Sequence, residues 1–411
     1  MDWRERRVLI TGVSGFVGPI LARNLVSRGA RITGIDLKQF DATVNSWSDD
    51  SIDSDLTFVH GDLRNFTNIK QALLKCDPDV IFHLGGISHV AYSFSNPGET
   101  AEINTIGTSN LLEAIRTSDV DAKFIFAGSS EEYGLVLSSE NQYRAAIEKY
   151  GTIYPPPIEI PELPVTETSP LRPMSPYAVS KVAGDFMSRN YYTSYGIKAI
   201  VSRAFNHEGI GRDPNFVTSS IIRQVIALKR GVSKSIRLGN VTAFRDWSGV
   251  GDVVEGYILL AEKGVSGDLY NQGSMRTNSV LTYLLWTLEA AGFDVSSLVS
   301  LKRSTSIDNP IELDTDEIYG LKFEKTRVDR LLLEEAASFD LQDGGIAVKC
   351  SECDIIVEFD ESLYRPSEVP IMLCNSRKIQ GIGAQYRTKL RQIIRSQVDY
   401  YSSLDNSMLQ S

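Results

Sequence analysis

A tyrosine and a lysine, Tyr177 and Lys181, lie four positions apart in a segment, Pro176 to Tyr195, whose pattern predicts a helix. Positions i and i+4 share one face of a helix, so the phenol and the ammonium can converge on one site. A cation near a phenol favours the phenolate and lowers its pKa, which makes the tyrosine a usable base near neutral pH. The spacing predicts a proton-transfer pair; the alternative is a packed tyrosine and a solvated lysine.

A second group of reactive side chains follows the predicted strand Lys123 to Ala127, in the run Gly-Ser-Ser-Glu-Glu-Tyr-Gly at 128–134. In a doubly wound sheet, ligands bind beyond the carboxyl ends of the strands, which is where this run would lie. The hydroxyl of Ser129 can hydrogen-bond a sugar oxygen, and the carboxylate of Glu131 or Glu132 can act as an acid or a base. A turn-capping serine and solvated loop acids are the structural alternatives.

The N-terminal residues follow the order strand, glycine turn, helix, strand and acid, which is the order of a dinucleotide-binding βαβ unit. The predicted strand Val8 to Ile10 ends in a turn whose glycines are spaced three apart. Glycine permits a tight turn, close approach of backbone N–H groups to a pyrophosphate, and close packing of the helix on the strand. We predict that the whole turn contacts a nucleotide cofactor: Gly12, Ser14, Gly15, Phe16, Val17 and Gly18.

Asp36, at the end of the second predicted strand, bears on which dinucleotide is bound. Its carboxylate would accept a hydrogen bond from the ribose 2′-hydroxyl and repel a 2′-phosphate, which favours NAD over NADP. Lys38 lies close by in the sequence and would offset that repulsion, so NADP stays an alternative cofactor. The structural alternative for Asp36 is a helix-capping or solvated acid.

Strands alternate with helices along the first half of the chain. Predicted strands cover 57–59, 79–84, 123–127 and 197–202, and predicted helices cover 103–118 and 176–195. This alternation predicts an α/β fold: a Rossmann-like, doubly wound parallel sheet with helices on both faces, accompanied by a smaller C-terminal α/β substrate-binding lobe.

The length of 411 residues fits two or three structural units. We expect a dinucleotide-binding domain over 1–205 with a returning segment at about 241–271, and a substrate-binding lobe over 206–240 and 272–411. Two stretches depart from the regular rhythm and read as insertions. One, 135–173, is rich in proline; the other, 304–353, is rich in charge and shows no clear sheet rhythm.

The composition, with 42% hydrophobic and 23% charged residues, is typical of a soluble globular protein. A net charge of −10 disfavours a nucleic-acid or anionic-membrane partner, because no broad cationic surface can form. No apolar run approaches the ~20 residues of a membrane span, and the N-terminus lacks the apolar core of a signal peptide. Four cysteines in 411 residues fit a reducing compartment, so we expect a cytoplasmic protein.

The cysteines Cys350 and Cys353 have the spacing of a metal-binding pair, but no second pair follows at the spacing of a zinc site. Cys374 is a single further thiol, and no histidine lies near it in the sequence. We therefore expect no metal site.

Several longer motifs are more specific than these short patterns. They are the glycine turn at 11–18, the Tyr-x-x-x-Lys helix, Arg-Ala-Phe-Asn-His-Glu at 203–208, Asn-Phe-Val-Thr at 215–218, Leu-Gly-Asn at 238–240, Arg-Asp-Trp at 245–247 and Tyr-Arg-Pro-Ser-Glu-Val-Pro at 364–370. With them the chain resembles the extended short-chain dehydrogenase/reductase superfamily, and within it the GDP-mannose 4,6-dehydratases. The resemblance covers most of the chain. It implies an enzyme that uses NAD or NADP and acts on a nucleotide-diphosphate sugar, GDP-mannose above all.

The resemblance assigns catalytic roles to Ser129, Glu131, Tyr177 and Lys181. Tyr177, as phenolate, would take the proton from the sugar 4-hydroxyl while hydride leaves C4, and Ser129 would orient O4. Glu131 would remove the C5 proton and help to expel the 6-hydroxyl as water. Lys181 would hold the nicotinamide ribose and tune Tyr177.

Two residues of the same run depart from related patterns. The related dTDP-glucose dehydratases carry an aspartate where this chain has Ser130, which favours the GDP-sugar branch. Glu132 stands where the family usually has an apolar residue, and we interpret it as structural.

The resemblance also implies the remaining binding residues. Further cofactor contacts would be Asp62 and Leu63 beside the adenine and, along the cofactor, Leu84, Gly85, Gly86 and Asn104. The family more often has Ala-Ala where Gly85-Gly86 stands. Substrate contacts would be Ser88, Ser129, Ser130, Glu131, Asn206, Asn215, Phe216, Val217, Asn240, Arg245 and Arg365, of which the arginines suit a diphosphate.

Family members form dimers or tetramers, so we expect a homodimer or homotetramer assembled through helices 103–118 and 176–195. Two alternative functions stay open. One is a nucleotide-sugar 4-reductase or 4-epimerase of the same superfamily, which segments 11–18 and 209–211 also resemble and which needs no acid to deprotonate C5. The other is a non-catalytic NAD-binding sensor or scaffold, which has no need for a phenol–ammonium pair.

Overall fold

The computed structural model describes residues 1–38 and 56–404. The end of the expected substrate-binding lobe, 405–411, lies outside the described residues. The strands, in chain order, are β1 (Arg7–Thr11), β2 (Arg31–Asp36), β3 (Leu56–His60), β4 (Val80–His83), β5 (Lys123–Ser129), β6 (Lys198–Ala204), β7 (His207–Glu208), β8 (Ser235–Leu238), β9 (Phe244–Arg245), β10 (Ser248–Gly249), β11 (Leu269–Gln272), β12 (Asn278–Ser279), β13 (Val295–Ser300), β14 (Ser306–Asp308), β15 (Leu313–Asp314), β16 (Lys325–Thr326), β17 (Gly345–Cys350) and β18 (Asp354–Phe359).

The helices are interspersed with these strands. In chain order they are α1 (Gly18–Ser27), α2 (Phe66–Cys76), α3 (Val90–Ser95), α4 (Pro97–Ala101), α5 (Gly107–Ser118), α6 (Glu140–Tyr150), α7 (Pro176–Tyr195), α8 (Val217–Lys229), α9 (Val250–Lys263), α10 (Val280–Ala290), α11 (Arg327–Leu333), α12 (Arg377–Gly381) and α13 (Leu390–Ser403). A π-helical turn, Glu102–Ile106, leads directly into α5, so the predicted helix 103–118 is observed with a change of hydrogen-bond register at its start.

Within the described residues, a sheet of seven parallel strands has the order β11-β6-β5-β4-β1-β2-β3; we call it the large sheet. Its central strands, β1, β4, β5 and β6, are buried on both faces, as is typical of a parallel sheet. On one face Val8 and Ile10 pack with α1 and α9, and on the other Leu9 packs with α2 and α5. The predicted Rossmann-like, doubly wound fold is confirmed.

Helix α7 occupies 176–195, the bounds expected from the sequence. The Ser175 hydroxyl accepts a hydrogen bond from the backbone N–H of Ala178, Pro176 takes the first helical position, and Gly196 ends the helix in the left-handed region. The helix lies very close to β5, because a Cβ on Gly184 would come within 2.3 Å of the Phe126 ring. This close packing brings the tyrosine and lysine of α7 to the end of β5.

A second sheet, the small sheet, has over the same described ranges five strands in the order β14-β13-β17-β18-β8. Its core is continuous with helices α8, α10 and α13. The expectation that 304–353 has no clear sheet rhythm is wrong for 306–308 and 345–350, because β14 pairs with β13, and β17 pairs with β13 on one side and β18 on the other. All three pairings are antiparallel; the β17–β18 pairing is a hairpin, whereas the β13–β17 pairing joins segments distant in the chain.

The proline-rich segment 135–173 contains α6 and a small core of its own. Its ends are tied together by the buried ion pair of Arg172 and Glu162, with Nη2 and Oε1 2.6 Å apart. The same guanidinium donates to the carbonyl oxygen of Leu135 at 2.7 Å. Asn141 donates to Glu335 of the C-terminal half at 2.6 Å, so the segment bridges both halves of the molecule.

Removal of the buried Glu162 carboxylate by Glu162→Ala leaves the Arg172 guanidinium without its charge partner in a buried position. We expect the free energy of unfolding to fall by about 3–5 kcal/mol, measured by urea denaturation. The control is Arg395→Ala, which breaks an exposed pair with Asp399 on α13 and should cost no more than about 1 kcal/mol. Equal losses in the two variants would contradict the anchoring role of the buried pair.

Candidate active site

A cleft of about 1400 Å³ opens beyond the carboxyl ends of the large sheet and continues between it and the small-sheet half. Such an edge is where ligands bind in open α/β folds. The structure brings nearly all the predicted site residues to this one cleft. Those lining it are Gly12, Ser14, Gly15, Phe16, Val17, Gly18, Asp36, Asp62, Leu63, Leu84, Gly85, Gly86, Ser88, Ser129, Ser130, Glu131, Tyr177, Lys181, Asn206, Asn215, Phe216, Val217, Asn240, Arg245 and Arg365.

The three glycines of the first turn serve different purposes. Gly12 has a φ of +74°, and a Cβ there would lie 2.7 Å from the backbone of Gly85. A Cβ on Gly18 would lie 2.4 Å from the carbonyl oxygen of Gly12, so both positions are required by packing. At Gly15 the nearest atom is that carbonyl at 3.3 Å, and the remaining space is open to the cleft. This cradle fits a pyrophosphate at the N-terminus of α1.

Asp36 ties the end of β2 to this glycine turn. Its Oδ2 accepts a hydrogen bond from the backbone N–H of Ser14 at 3.0 Å, and its Oδ1 accepts from the N–H of Leu37 at 2.8 Å. The hydroxyl of Ser14 donates to the carbonyl oxygen of Lys38 at 2.8 Å. The carboxylate therefore lies in the cleft with a fixed orientation, where it can face a ribose.

Two predicted cofactor contacts have intramolecular partners that the sequence did not indicate. The carboxylate of Asp62 holds the guanidinium of Arg64, with Nη2 and Oδ2 2.6 Å apart. Asn104 does not line the cleft: its amide accepts from the N–H of Ile87 at 2.8 Å and donates to the hydroxyl of Ser180 at 2.9 Å. Asn104 thus braces the loop after β4 against α7, rather than lying along a cofactor.

Tyr177 and Lys181 are both buried, one helical turn apart on the face of α7 that meets β5. The Lys181 ammonium donates to the carbonyl oxygen of Ala127 at 2.8 Å, and it lies 5.9 Å from the centre of the Tyr177 ring. The predicted convergence of phenol and ammonium is observed. Burial removes the ammonium from water, and this desolvation lowers the pKa of Lys181 to about 8.

The expected lowering of the phenol pKa is not the dominant effect. Burial is the largest cause and raises the pKa of Tyr177 to about 12. A hydrogen bond with the Ser129 side chain opposes that rise, and the charge of Glu131 adds to it. Desolvation of a phenolate outweighs the favourable contacts because the whole side chain is removed from water. Ser129 and Glu131 nevertheless line the same cleft as the phenol.

The turn that carries Ser129 and Glu131 is a short 3-10 helix at the end of β5. The Ser129 hydroxyl accepts a hydrogen bond from the backbone N–H of Glu131 at 3.2 Å, so the turn-capping alternative for this serine holds together with its place in the cleft. Ser130 and Glu131 are nearly buried and line the cleft, whereas Glu132 points away from it and is fully buried. The turn therefore presents one of its two carboxylates to a ligand.

The two predicted arginines of the substrate half share a partner that the sequence did not indicate. Glu368 lies 2.9 Å from Arg245 Nη2 and 3.8 Å from Arg365 Nη1. Arg245 also donates to the carbonyl oxygen of Val369 at 2.7 Å, which fixes its direction. One carboxylate thus offsets one of two positive charges and holds both guanidinium groups at the wall of the cleft.

The predicted nucleoside pocket is formed by the start of α8 and the loop before it. The side chain of Asn215 donates to Asp213 Oδ1 at 2.9 Å, and the backbone carbonyl oxygen of Asn215 lies 3.2 Å from His89 Nε2. Asn240 accepts a hydrogen bond from the N–H of Thr242 at 3.0 Å, which shapes a turn at the edge of the cleft. These polar groups order the loops around the pocket.

Sequence reasoning overlooked Arg212 and gave His207 no role. The Arg212 guanidinium lies 3.7 Å from the centre of the Phe216 ring and 5.0 Å from that of Phe16, so it joins the glycine turn to the predicted nucleoside pocket. Its Nε is buried without a hydrogen-bond partner in the described part of the chain. His207 stacks on Phe16 with centroids 6.1 Å apart, and burial lowers the pKa of His207 to about 4. The Asn-His-Glu motif at 206–208 was the available signal.

Residues 1–38 and 56–404 contain neither a metal cluster nor a membrane-spanning helix. No group of three or more His, Cys, Asp or Glu side chains in these ranges is placed to hold a metal ion. Cys350 and Cys353 flank the β17–β18 turn, and Cys374 is buried elsewhere. None of the helices described there has the length and apolar character needed to cross a membrane.

Comparisons with known proteins agree with this geometry. The GDP-mannose 4,6-dehydratase of Vibrio cholerae is 30% identical over 383 residues, which are 91% of this chain and 87% of that protein. The structure of RMD from Pseudomonas aeruginosa complexed with NADPH has a TM-score of 0.65 at 20% identity, covering 97% of this chain and 99% of that one. UDP-glucose 4-epimerase from Thermus thermophilus in complex with NAD gives 0.63 at 22% identity, over 97% and 99% of the two chains.

These solved structures share the fold of this chain. The Vibrio cholerae protein is similar to it in sequence over nearly the whole length. A model of the NAD dependent epimerase/dehydratase family matches residues 8–273, the part that contains the glycine turn, the Ser129 turn and helix α7. The resemblance expected from the motifs is confirmed: the chain belongs to the NAD dependent epimerase/dehydratase family.

Proposed function

We propose that the protein is a nucleotide-sugar 4,6-dehydratase that converts GDP-mannose to the 4-keto-6-deoxy sugar. The observation that carries the proposal is the carboxylate of Glu131, which lines the same cleft as the phenol of Tyr177. Oxidation at C4 needs a hydroxyl, a phenol and an ammonium, but elimination across C5 and C6 needs an additional acid–base group. The GDP-mannose 4,6-dehydratase of Vibrio cholerae supports the choice of sugar nucleotide.

A dinucleotide held over the glycine cradle would supply the exchange of hydride with C4 and C6 of the sugar. In its phenolate form Tyr177 would take the proton of the sugar 4-hydroxyl and pass it to solvent, while Ser129 holds O4. The resulting ketone acidifies the C5–H bond, which an alcohol would not. Glu131 removes that proton and delivers it to the departing 6-hydroxyl, which leaves as water. Glu131 then takes up one proton from solvent and gives it to C5, so the reaction consumes none.

The two halves of the cleft divide the binding between them. The large-sheet half, 1–205 with 241–271, would hold the dinucleotide over the cradle at Gly15. The half formed by 206–240 and 272–411 would hold the sugar nucleotide, with Arg245 and Arg365 against its diphosphate. Glu368 keeps both guanidinium groups in place before the ligand arrives.

The function is tested by supplying GDP-mannose and a catalytic amount of dinucleotide, with no added reductant, and assaying the 4-keto product. We expect the wild type to form it and Glu131→Gln to lower kcat by about 10²- to 10⁴-fold, because the C5 proton has lost its base. Reduced nicotinamide should accumulate in the variant, since oxidation at C4 still occurs. The control is Glu148→Gln on the exposed face of α6, with wild-type rates.

Three other outcomes would redirect the assignment. Full dehydration by Glu131→Gln would show that the base is another group. A wild type that leaves the sugar untouched, but reduces a 4-keto sugar when given reduced dinucleotide, would be a reductase. Bound dinucleotide without turnover of any nucleotide sugar would favour a sensor or scaffold.

We also propose that NAD is the preferred dinucleotide, because the Asp36 carboxylate is held in the cleft by backbone N–H groups and would repel a 2′-phosphate. Asp36→Asn keeps the hydrogen-bond acceptor and removes the charge. We expect it to shift the ratio of Kd values about tenfold toward NADP, measured by calorimetry. Asp119→Asn, at an exposed position after α5, is the control with an unchanged ratio. Tighter binding of NADP than of NAD by the wild type would contradict this preference.

A homo-oligomer formed through α5 and α7 is part of the proposal. The outer faces of α7 and of the π-helical turn that leads into α5 leave apolar side chains exposed: Val179 and Phe186 on α7 are 55% and 53% exposed, and Ile106 before α5 is 52% exposed. Phe186→Glu should shift the mass in sedimentation equilibrium to that of a monomer. Val265→Glu, at an equally exposed position before β11, should leave it unchanged. A wild type that sediments as a monomer at micromolar concentration would refute the assembly.

A further inference from the structure

A buried cluster of charged side chains lies directly beneath the turn that carries Ser129 and Glu131. Glu132 and Asp185 have no exposed surface, and Arg203 between them is 2% exposed. Glu132 Oε2 lies 3.1 Å from Arg203 Nε, and Asp185 Oδ2 lies 2.7 Å from Arg203 Nη2. Such a cluster is costly to bury, so its position behind the catalytic groups calls for a physical explanation.

Glu132 contacts the turn that carries Ser129 and Glu131. Glu132 Oε1 accepts a hydrogen bond from the backbone N–H of Ser129 at 2.8 Å. The Ser129 side chain in turn accepts from the N–H of Glu131, so the two hydrogen bonds close the turn reciprocally. A Cβ on Gly128 would lie 2.6 Å from the same carboxylate oxygen, so the absence of a side chain at Gly128 leaves room for this contact.

The charged cluster also links this turn to helix α7. Asp185 lies one helical turn beyond Lys181 on α7, and Arg203 lies on β6 between β5 and the edge of the sheet. The guanidinium therefore joins a carboxylate of the turn to a carboxylate of the helix. The ring of Tyr133 lies 5.0 Å from the guanidinium carbon of Arg203 and closes the cluster from the remaining side.

We propose that Glu132 is a positioning residue for the reaction: its carboxyl holds the backbone of Ser129 from beneath and, through Arg203 and Asp185, sets the turn in place relative to Tyr177 and Lys181. This inference rests on the proposed function for the identity of the reacting groups. Glu132 acts through Ser129 and touches no ligand. Glu132, interpreted from the sequence as structural, thus supports the geometry of the site.

The electrostatics of the cluster indicate which substitution the site tolerates. Burial and the charge of Asp185 raise the pKa of Glu132 while the charge of Arg203 opposes the rise, so burial disfavours the charged form and a neutral side chain is compatible with this position. Arg203 keeps Asp185 as a charge partner when Glu132 is neutral. What a replacement must preserve is therefore the reach of an acceptor oxygen to the N–H of Ser129.

Two variants separate the acceptor oxygen from the charge. Glu132→Gln keeps the length and the acceptor oxygen but removes the charge; Glu132→Leu keeps the bulk of the side chain but removes both. Hydrogen–deuterium exchange of a peptide covering 124–134 should be unchanged in Glu132→Gln. In Glu132→Leu the Ser129 amide should exchange at least about tenfold faster. The control Glu148→Leu, on exposed α6, should match the wild type.

Steady-state kinetics should follow the same order. We expect Glu132→Gln to retain kcat to within about threefold, since the hydrogen bond to Ser129 remains. Glu132→Leu should lower kcat by about a hundredfold while KM and the Kd of the dinucleotide stay near their wild-type values, because only the reacting geometry has moved. Rates are normalised to the fraction of protein that binds dinucleotide, which removes any loss due to incomplete folding.

Wild-type exchange and kcat in Glu132→Leu would overturn the proposal, and equal impairment of Glu132→Gln and Glu132→Leu would show that the charge, and not the acceptor oxygen, matters. Proportional loss of stability in both variants, with normal kcat in the folded fraction, would reduce Glu132 to a purely structural residue. If the wild type turns over no nucleotide sugar, the proposed function fails on its own, and the exchange measurement still decides whether Glu132 holds Ser129.

Discussion

The parallel pairing of β1, β4 and β5 is the constraint on which the site depends. Because these strands run in the same direction, the loops that follow them all emerge at one edge of the large sheet. Two of the loops then approach so closely that the backbone of Gly85 occupies the space of a side chain at Gly12. The lack of a side chain at Gly184 likewise lets α7 lie against β5. Backbone proximity thus brings the cradle, the Ser129 turn and the Tyr177–Lys181 pair into one cleft.

Burial, more than local pairing, sets the protonation of the groups in that cleft. Tyr177 and Lys181 stand one helical turn apart, as an activated pair would, yet removal from water raises the pKa of the phenol and lowers that of the ammonium. Both shifts favour the neutral forms, which is the signature of desolvation. Favourable contacts such as the hydrogen bond from Ser129 act against this background, so the reactivity of the tyrosine depends on the full set of charges around it.

An acidic chain manages its anionic ligands by local arrangement. The net charge of −10 opposes a diphosphate at long range, but Glu368 fixes the guanidinium groups of Arg245 and Arg365 at the cleft wall. Arg212, packed between aromatic rings, adds a further cation at the boundary between the two halves. Acidic side chains are thus used here to hold basic ones in place, which is how a negatively charged protein can present a positive site.

The local helices, strands and turns, and the reactive side chains they carry, could be predicted from the sequence alone. The glycine turn, the acid at position 36 and the bounds of α7 follow from short-range rules: φ preferences, capping and a 3.6-residue period. Tertiary structure decided what depends on partners distant in the chain. It placed β17 inside a sheet, turned Asn104 away from the cleft, set Glu368 between two arginines and closed Glu132 onto Arg203 and Asp185. Such contacts depend on non-local packing and the cost of burying charge, which no local pattern records.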